Sequence, residues 1–126
     1  MALTNDIRLI GYCGTMPQMS QKEGQKRICR IPVYTNHWVG QHEDGTPKKQ
    51  TEIHRCVFFG KLAERAGKLL LKGHQVHIRG TMHYHRYKLA EKWCLYPQVV
   101  VNEFMLSSKA IMTKALYEDI FNEAND

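Results

Sequence analysis

Between residues 83 and 93 the chain sets rings and cations side by side: His83, Tyr84, His85, Arg86, Tyr87 and Lys88, then Trp93. Every base has a π-face, so such rings hold unpaired bases irrespective of sequence, at about 1 to 3 kcal/mol per stacked base, while Lys and Arg hold the phosphates. The same residue types recur upstream in Trp38, the pair Lys48 and Lys49, Arg55, Phe59 and Arg79. Together they have the chemistry to hold a single strand of nucleic acid. The competing assignment for a ring such as Tyr84 or Phe59 is the core or a subunit contact, and Phe58 and Tyr12 fit that assignment better.

Other chemistry has less support. His83 and His85 share one side of a strand and, with Cys94, have the residue types of a zinc site. Neutral hydrogen-bonding imidazoles, some gaining charge near phosphates below a pKa of about 6.5, account for them better. Cys13, Cys29, Cys56 and Cys94 show no C-x-x-C spacing, which argues against a disulfide framework and a four-cysteine metal site. No nucleophile stands with a base and an orienting acid, and no glycine-rich phosphate loop occurs. The reading is a binding protein, not an enzyme, with no cofactor and no metal.

Charge agrees with a polyanionic partner. The 126 residues carry 18 basic and 12 acidic side chains. Residues 1–106 hold 16 and 8 of these, a balance of +8, and residues 107–126 hold 2 and 4, a balance of −2. A basic body with an acidic tail favours nucleic acid, although a solvated basic surface is the ordinary alternative. This length allows one domain with a real core. No apolar run approaches the roughly 18 residues that cross a bilayer, and Asp6 and Arg8 interrupt the N-terminal apolar stretch, so the expected location is the cytoplasm.

The elements that must position these side chains are mostly strands. Residues 7–12 read as a first strand and 15–25 as a polar loop. Residues 27–35 alternate as a second strand in which Pro32 demands an edge or a bulge. Residues 39–50 read as a long hairpin loop. Over 52–60 the alternation is clearest, with Ile53, Arg55, Val57 and Phe59 on one face and His54, Cys56 and Phe58 on the other. Helical spacing follows over 61–71, with Leu62, Ala66, Leu69 and Leu70 on one stripe and Lys72-Gly73 as its stop. Val76 and Ile78 point inward on a fourth strand that kinks at Gly80, with His77 and Arg79 outward. The last strand covers 94–106. Three strands, one helix and two strands fit an all-β fold, the five-stranded Greek-key OB barrel with its helix between strands three and four, although small α+β folds share that string.

At Thr51-Glu52-Ile53-His54-Arg55, running on into Phe59-Gly60-Lys61-Leu62-Ala63-Glu64, the sequence resembles the bacterial single-stranded DNA-binding protein family. The likeness continues at Lys72-Gly73-His74-Gln75-Val76 and at Val99-Val100-Val101-Asn102-Glu103-Phe104, covering about residues 5 to 106. It implies an OB fold, sequence-tolerant binding of single-stranded DNA in replication, recombination or repair, no catalysis, and assembly into a homotetramer or homodimer. Carried over one at a time, the family's stacking positions fall on Trp38, Ile53, Phe59 and Tyr87. Ile53 stands where the family has tryptophan and cannot stack as a ring does. Trp93 has no firm counterpart, and His54 matches a histidine expected to serve subunit contact or core hydrogen bonding.

The tail departs from the family. A Gly, Pro and Gln-rich linker with an acidic tip is missing, so the resemblance implies a specialised member, carried by a plasmid or mobile element or acting in recombination. Residues 107–126 instead read as a tail beyond the 1–106 domain, with a C-terminal amphipathic helix over 109–122 whose Met112, Ala115, Leu116 and Ile120 would dock a replication or recombination protein, or another subunit. The rivals are a factor like primosomal replication protein B, which helps load a helicase, and a protein-interaction module built on the same barrel.

Overall fold

The structure is a computed structural model and describes residues 3–108; the expected tail helix lies outside them. Its elements are β1 (Ile7–Cys13), β2 (Gln18–Ser20), β3 (Ile28–Gln41), β4 (Pro47–Phe59), α1 (Lys61–Leu69), β5 (Gln75–Leu89) and β6 (Lys92–Ser108). β1, β5, β6, β4 and β3 are neighbours in that order, and β3 returns to β1 through Tyr12↔Tyr34 and Cys13↔Val33. Five strands thus close a barrel, with one parallel contact, β4 to β6, at Cys56↔Val99 and Val57↔Val100. This is the expected OB topology. β2, inside the segment expected to be loop, is a three-residue edge added to β3.

Alternation decides what fills the barrel. Cys29, Ile31 and Val33 from β3, Cys56 and Phe58 from β4, Val76 and Ile78 from β5, and Val99 and Val101 from β6 meet in one core. Burial pushes the Cys13 and Cys56 thiols up to about 12 and that of Cys29 to about 11, so these three act as small apolar side chains. The register of β5 and β6 shifts between Arg79↔Glu103 and Gly80↔Val101, leaving Asn102 as an extra residue. That bulge lets Val99 and Val101 before it, and Phe104 and Leu106 after it, all pack on the core. A Cβ at Gly80 would collide with the Val100 carbonyl, so the kink requires glycine.

Three expectations need correction. The segment 39–50 is not a long loop, because β3 and β4 pair out to Gln41↔Pro47 and leave a short turn. Both faces of this ribbon are largely solvated, so it has no alternating burial to read. On α1, Leu69 is exposed, and the buried residues are Ala63 and Ala66, joined by Leu70. Leu70 caps the helix in extended conformation, so the turn of the chain and not helical periodicity aims it inward. Pro32 is neither on an edge strand nor at a bulge. Its carbonyl accepts from the Gly14 N–H at 2.8 Å on the side away from β4, and its missing N–H falls on that same side, between the stretches of β3 that pair with β2 and with β1.

Candidate nucleic-acid interface

Direct cross-strand partners share a face of the sheet, so the β3–β4 register defines one outward row. Its pairs are Trp38↔Lys49, Asn36↔Thr51, Tyr34↔Ile53, Pro32↔Arg55, Arg30↔Val57 and Ile28↔Phe59. At about 3.4 Å per residue the row is on the order of 34 Å long. It holds three cations and no carboxylate. Trp38 is 64% exposed, and the Lys49 ammonium lies 5.7 Å from its ring centroid. Ile53 is 49% exposed, midway along the row, and Phe59 stands open at its far end. Val57 alone among the outward β4 residues of the row is buried. Tyr34 packs on the backbone of Gly14, where a Cβ would come within 2.6 Å of the ring.

The β5–β6 hairpin adds to this surface from one of its faces. Thr81, His83, His85 and Tyr87 point outward, opposite Val100, Gln98, Tyr96 and Cys94. Tyr96 gathers the group: its centroid is 5.7 Å from Tyr87 and 5.1 Å from His85, and the Arg55 guanidinium lies 5.4 Å away. His83 is hydrogen-bonded to the Thr81 hydroxyl at 3.0 Å. Among the described residues no group of three His, Cys, Asp or Glu side chains is placed to hold a metal ion.

The structure therefore brings Trp38, Lys49, Ile53, Arg55, Phe59 and Tyr87 onto one continuous outer face. It places Lys48 on the opposite face of the β3–β4 ribbon, opposite Gly40 and one residue past Lys49. Tyr84, Arg86, Lys88 and Trp93 lie on the reverse of the β5–β6 hairpin, paired with Pro97, Leu95 and each other. Arg79 stands apart. Its guanidinium meets Asp6 at 3.2 Å and Glu103 at 3.7 Å, and these carboxylates push its pKa up. Sequence reasoning missed Arg30, Tyr34 and Tyr96. The first two alternate with Pro32 and were legible from it, whereas Tyr96 joins the site only through the hairpin register.

On the inner side of β4, the His54 imidazole shares a 2.8 Å hydrogen bond with the Thr35 hydroxyl. Desolvation lowers its pKa, with nearby Glu52 opposing. Of the two expectations for this residue, a hydrogen bond is present, but between half-buried partners at the margin of the core.

The sequence model of the single-strand binding protein family matches residues 4–105. The chain belongs to that family. Single-stranded DNA-binding proteins of Xanthomonas axonopodis pv. citri and Xylella fastidiosa are each 37% identical to it over 83 residues, 66% of this chain and 46% and 50% of theirs. The chain thus spans about half the length of these family members. Among solved structures, the Plasmodium falciparum protein in complex with single-stranded DNA superposes with a TM-score of 0.70 at 21% identity, over 83% of this chain and 94% of that one. A deletion mutant of the Thermus aquaticus single-stranded DNA binding protein gives 0.68 at 24% identity, over 81% and 49%. At these identities the two structures establish the shared fold.

Proposed function

We propose that this chain binds single-stranded DNA with little regard to sequence and without catalysis, along the outer row of β3 and β4 and onto Tyr96 and Tyr87. The observation that carries this reading is the composition of the row. Rings at Trp38, Tyr34 and Phe59 share it with Lys49, Arg55 and Arg30, and no carboxylate interrupts them. Stacking needs unpaired bases and cations need phosphates, so one surface supplies both requirements. Membership of the family and the names of its relatives support the same reading.

Residues 1–106 form the binding domain and residues 107–126 a tail that recruits replication or recombination partners. The protein works in the cytoplasm at the nucleoid; no helix among the described residues is long and apolar enough to cross a membrane. It assembles as a homodimer or homotetramer, and Ile10 and Met105, both exposed on the outer side of β1 and β6, support a subunit contact there.

The test is titration with an oligothymidylate and with a duplex of equal length at two salt concentrations. Tighter binding of the single strand is expected, with log K falling by about 0.7 per neutralised phosphate for each tenfold rise in salt. Equal affinity for duplex and single strand overturns the proposal.

A further inference from the structure

The β5–β6 hairpin leaves the barrel as a free ribbon. Pairing of β1 with β5 ends at Ile7↔Gly80, and pairing of β4 with β6 begins at Cys56↔Val99. Beyond these residues neither edge of the hairpin has a strand neighbour among the described residues. Met82 packs against the core and Val99 is buried in it, the last pair of the inward face to do so. Past that rim no core among the described residues lies beneath the inward face for about 25 Å, the length of some seven residues.

That uncovered face is not polar filler. Its pairs are Tyr84↔Pro97, Arg86↔Leu95 and Lys88↔Trp93. Tyr84 is 66% exposed, Trp93 73% and Leu95 59%. The Lys88 ammonium lies 5.9 Å from the Trp93 ring centroid. Two cations and two open rings share this face with no carboxylate, and the only acidic residue of the ribbon is Glu91 in the turn. Tyr84 and Tyr87 are three residues apart, so they point to opposite sides. Nothing that binds the outer row through Tyr87 and Tyr96 touches Tyr84 from the same side.

We propose that the reverse face of the β5–β6 hairpin is a second contact for single-stranded nucleic acid, separate from the β3–β4 row, so that one chain holds two segments of strand at once. Charge selects the occupant: an uninterrupted cationic face suits a polyanion, and exposed rings suit unpaired bases. The inference rests on the single-strand reading of the outer row, and the two are separable by experiment.

The chain has only two tryptophans, Trp38 on the outer row and Trp93 on the reverse face. Trp93→Phe therefore leaves a reporter of the first surface and Trp38→Phe a reporter of the second. Each full-length variant is titrated with an oligothymidylate of about ten nucleotides, within the roughly 4 to 16 that one barrel covers. The expected result is quenching of Trp38 in a first phase and of Trp93 in a weaker second phase, with two oligonucleotides bound per chain at saturation. Adding Tyr84→Ala to Trp38→Phe should abolish the Trp93 phase. Adding Arg86→Gln and Lys88→Gln should weaken that phase and reduce its salt slope by about 1.4, at 0.7 per phosphate. Unchanged melting temperatures confirm that these variants are folded.

Trp93 emission that stays constant while Trp38 saturates overturns the second contact and leaves the first intact. So does a single phase at one oligonucleotide per chain. Emission from Trp93 that follows protein concentration and not oligonucleotide assigns the face to a second copy of the chain, and overturns the proposal as well. If neither tryptophan responds and no oligonucleotide binds, the single-strand reading itself falls.

Discussion

The Arg55 guanidinium lies 5.4 Å from the centroid of the Tyr96 ring, and through that contact β4 and the β5–β6 hairpin present one surface. Neither residue reaches the other through sequence proximity. The parallel pairing at Val57↔Val100 joins the two strands, Arg55 reaches along them to Tyr96, which lies four residues before Val100, and Tyr96 in turn contacts Tyr87 and His85.

Tyr96→Ala should therefore weaken oligothymidylate binding by about 1 to 3 kcal/mol, as the loss of one stacked base does. Tyr96→Phe should retain the affinity, because the ring and its contact with Arg55 remain. Fluorescence titration of both variants, beside melting curves, checks this. A loss in the Phe variant as large as in the Ala variant would mean that the hydroxyl, not the ring, matters.

Ile53→Trp should tighten single-strand binding by about 1 to 3 kcal/mol at little cost in stability. Ile53 is 49% exposed and opposite Tyr34, so a larger ring joins an open row. Leu70→Ala is the contrasting control. At 1% exposure it should cost about 2 to 5 kcal/mol of stability and leave the affinity of the folded protein unchanged. Urea melts and titrations of both variants separate the two effects.

The β5–β6 turn stores strain at two ordinary residues. Ala90 and Glu91 have φ of 47° and 70°, the signs of a type I′ turn that favours Asn-Gly. Replacing the pair by Asn-Gly should raise stability by about 1 to 2 kcal/mol, measured by urea denaturation. No gain would show that the ribbon is already frayed at its tip when the barrel unfolds.

His54 makes stability depend on pH. Its folded pKa lies below the unfolded value of 6.5, so between the two the unfolded chain binds more protons. The stability it contributes is fully present above about 6.5 and is lost as pH falls toward its folded pKa. His54→Gln keeps a partner for Thr35 and does not titrate. The stability of the wild type minus that of the variant should fall between pH 7 and 5 in denaturant melts, and a flat difference would contradict the assignment.

Much of the barrel was legible because burial in a strand is a local, period-two property. Val76 and Ile78 declare their inward face by residue order alone, whereas on β3 and β4 residue order separated Ile31 and Val33, and Cys56 and Phe58, from the opposite sets and the closed barrel decided that these point inward. Where both faces are solvated, as from Trp38 to Gln41, that signal vanishes, and a paired strand read as a loop. The family motifs carried Trp38, Ile53, Phe59 and Tyr87 to positions that share one face.

Residue order alone determined which rings and cations alternate along these strands, and which face of β5 is dry. Tertiary structure alone decided which of those residues act together. Register between strands depends on single-residue events such as the bulge at Asn102, the shift between Trp38 and Gly40, and the Ala90-Glu91 turn. Each moves side chains from one face to the other, and neither Ala90 nor Glu91 has the composition that marks a turn. Alternation by itself divides the basic aromatic segment from Tyr84 to Trp93 into two opposed sets, but the register decides which set meets Arg55 and which faces away, and Tyr96, ordinary in sequence, becomes the residue that joins the hairpin to β4.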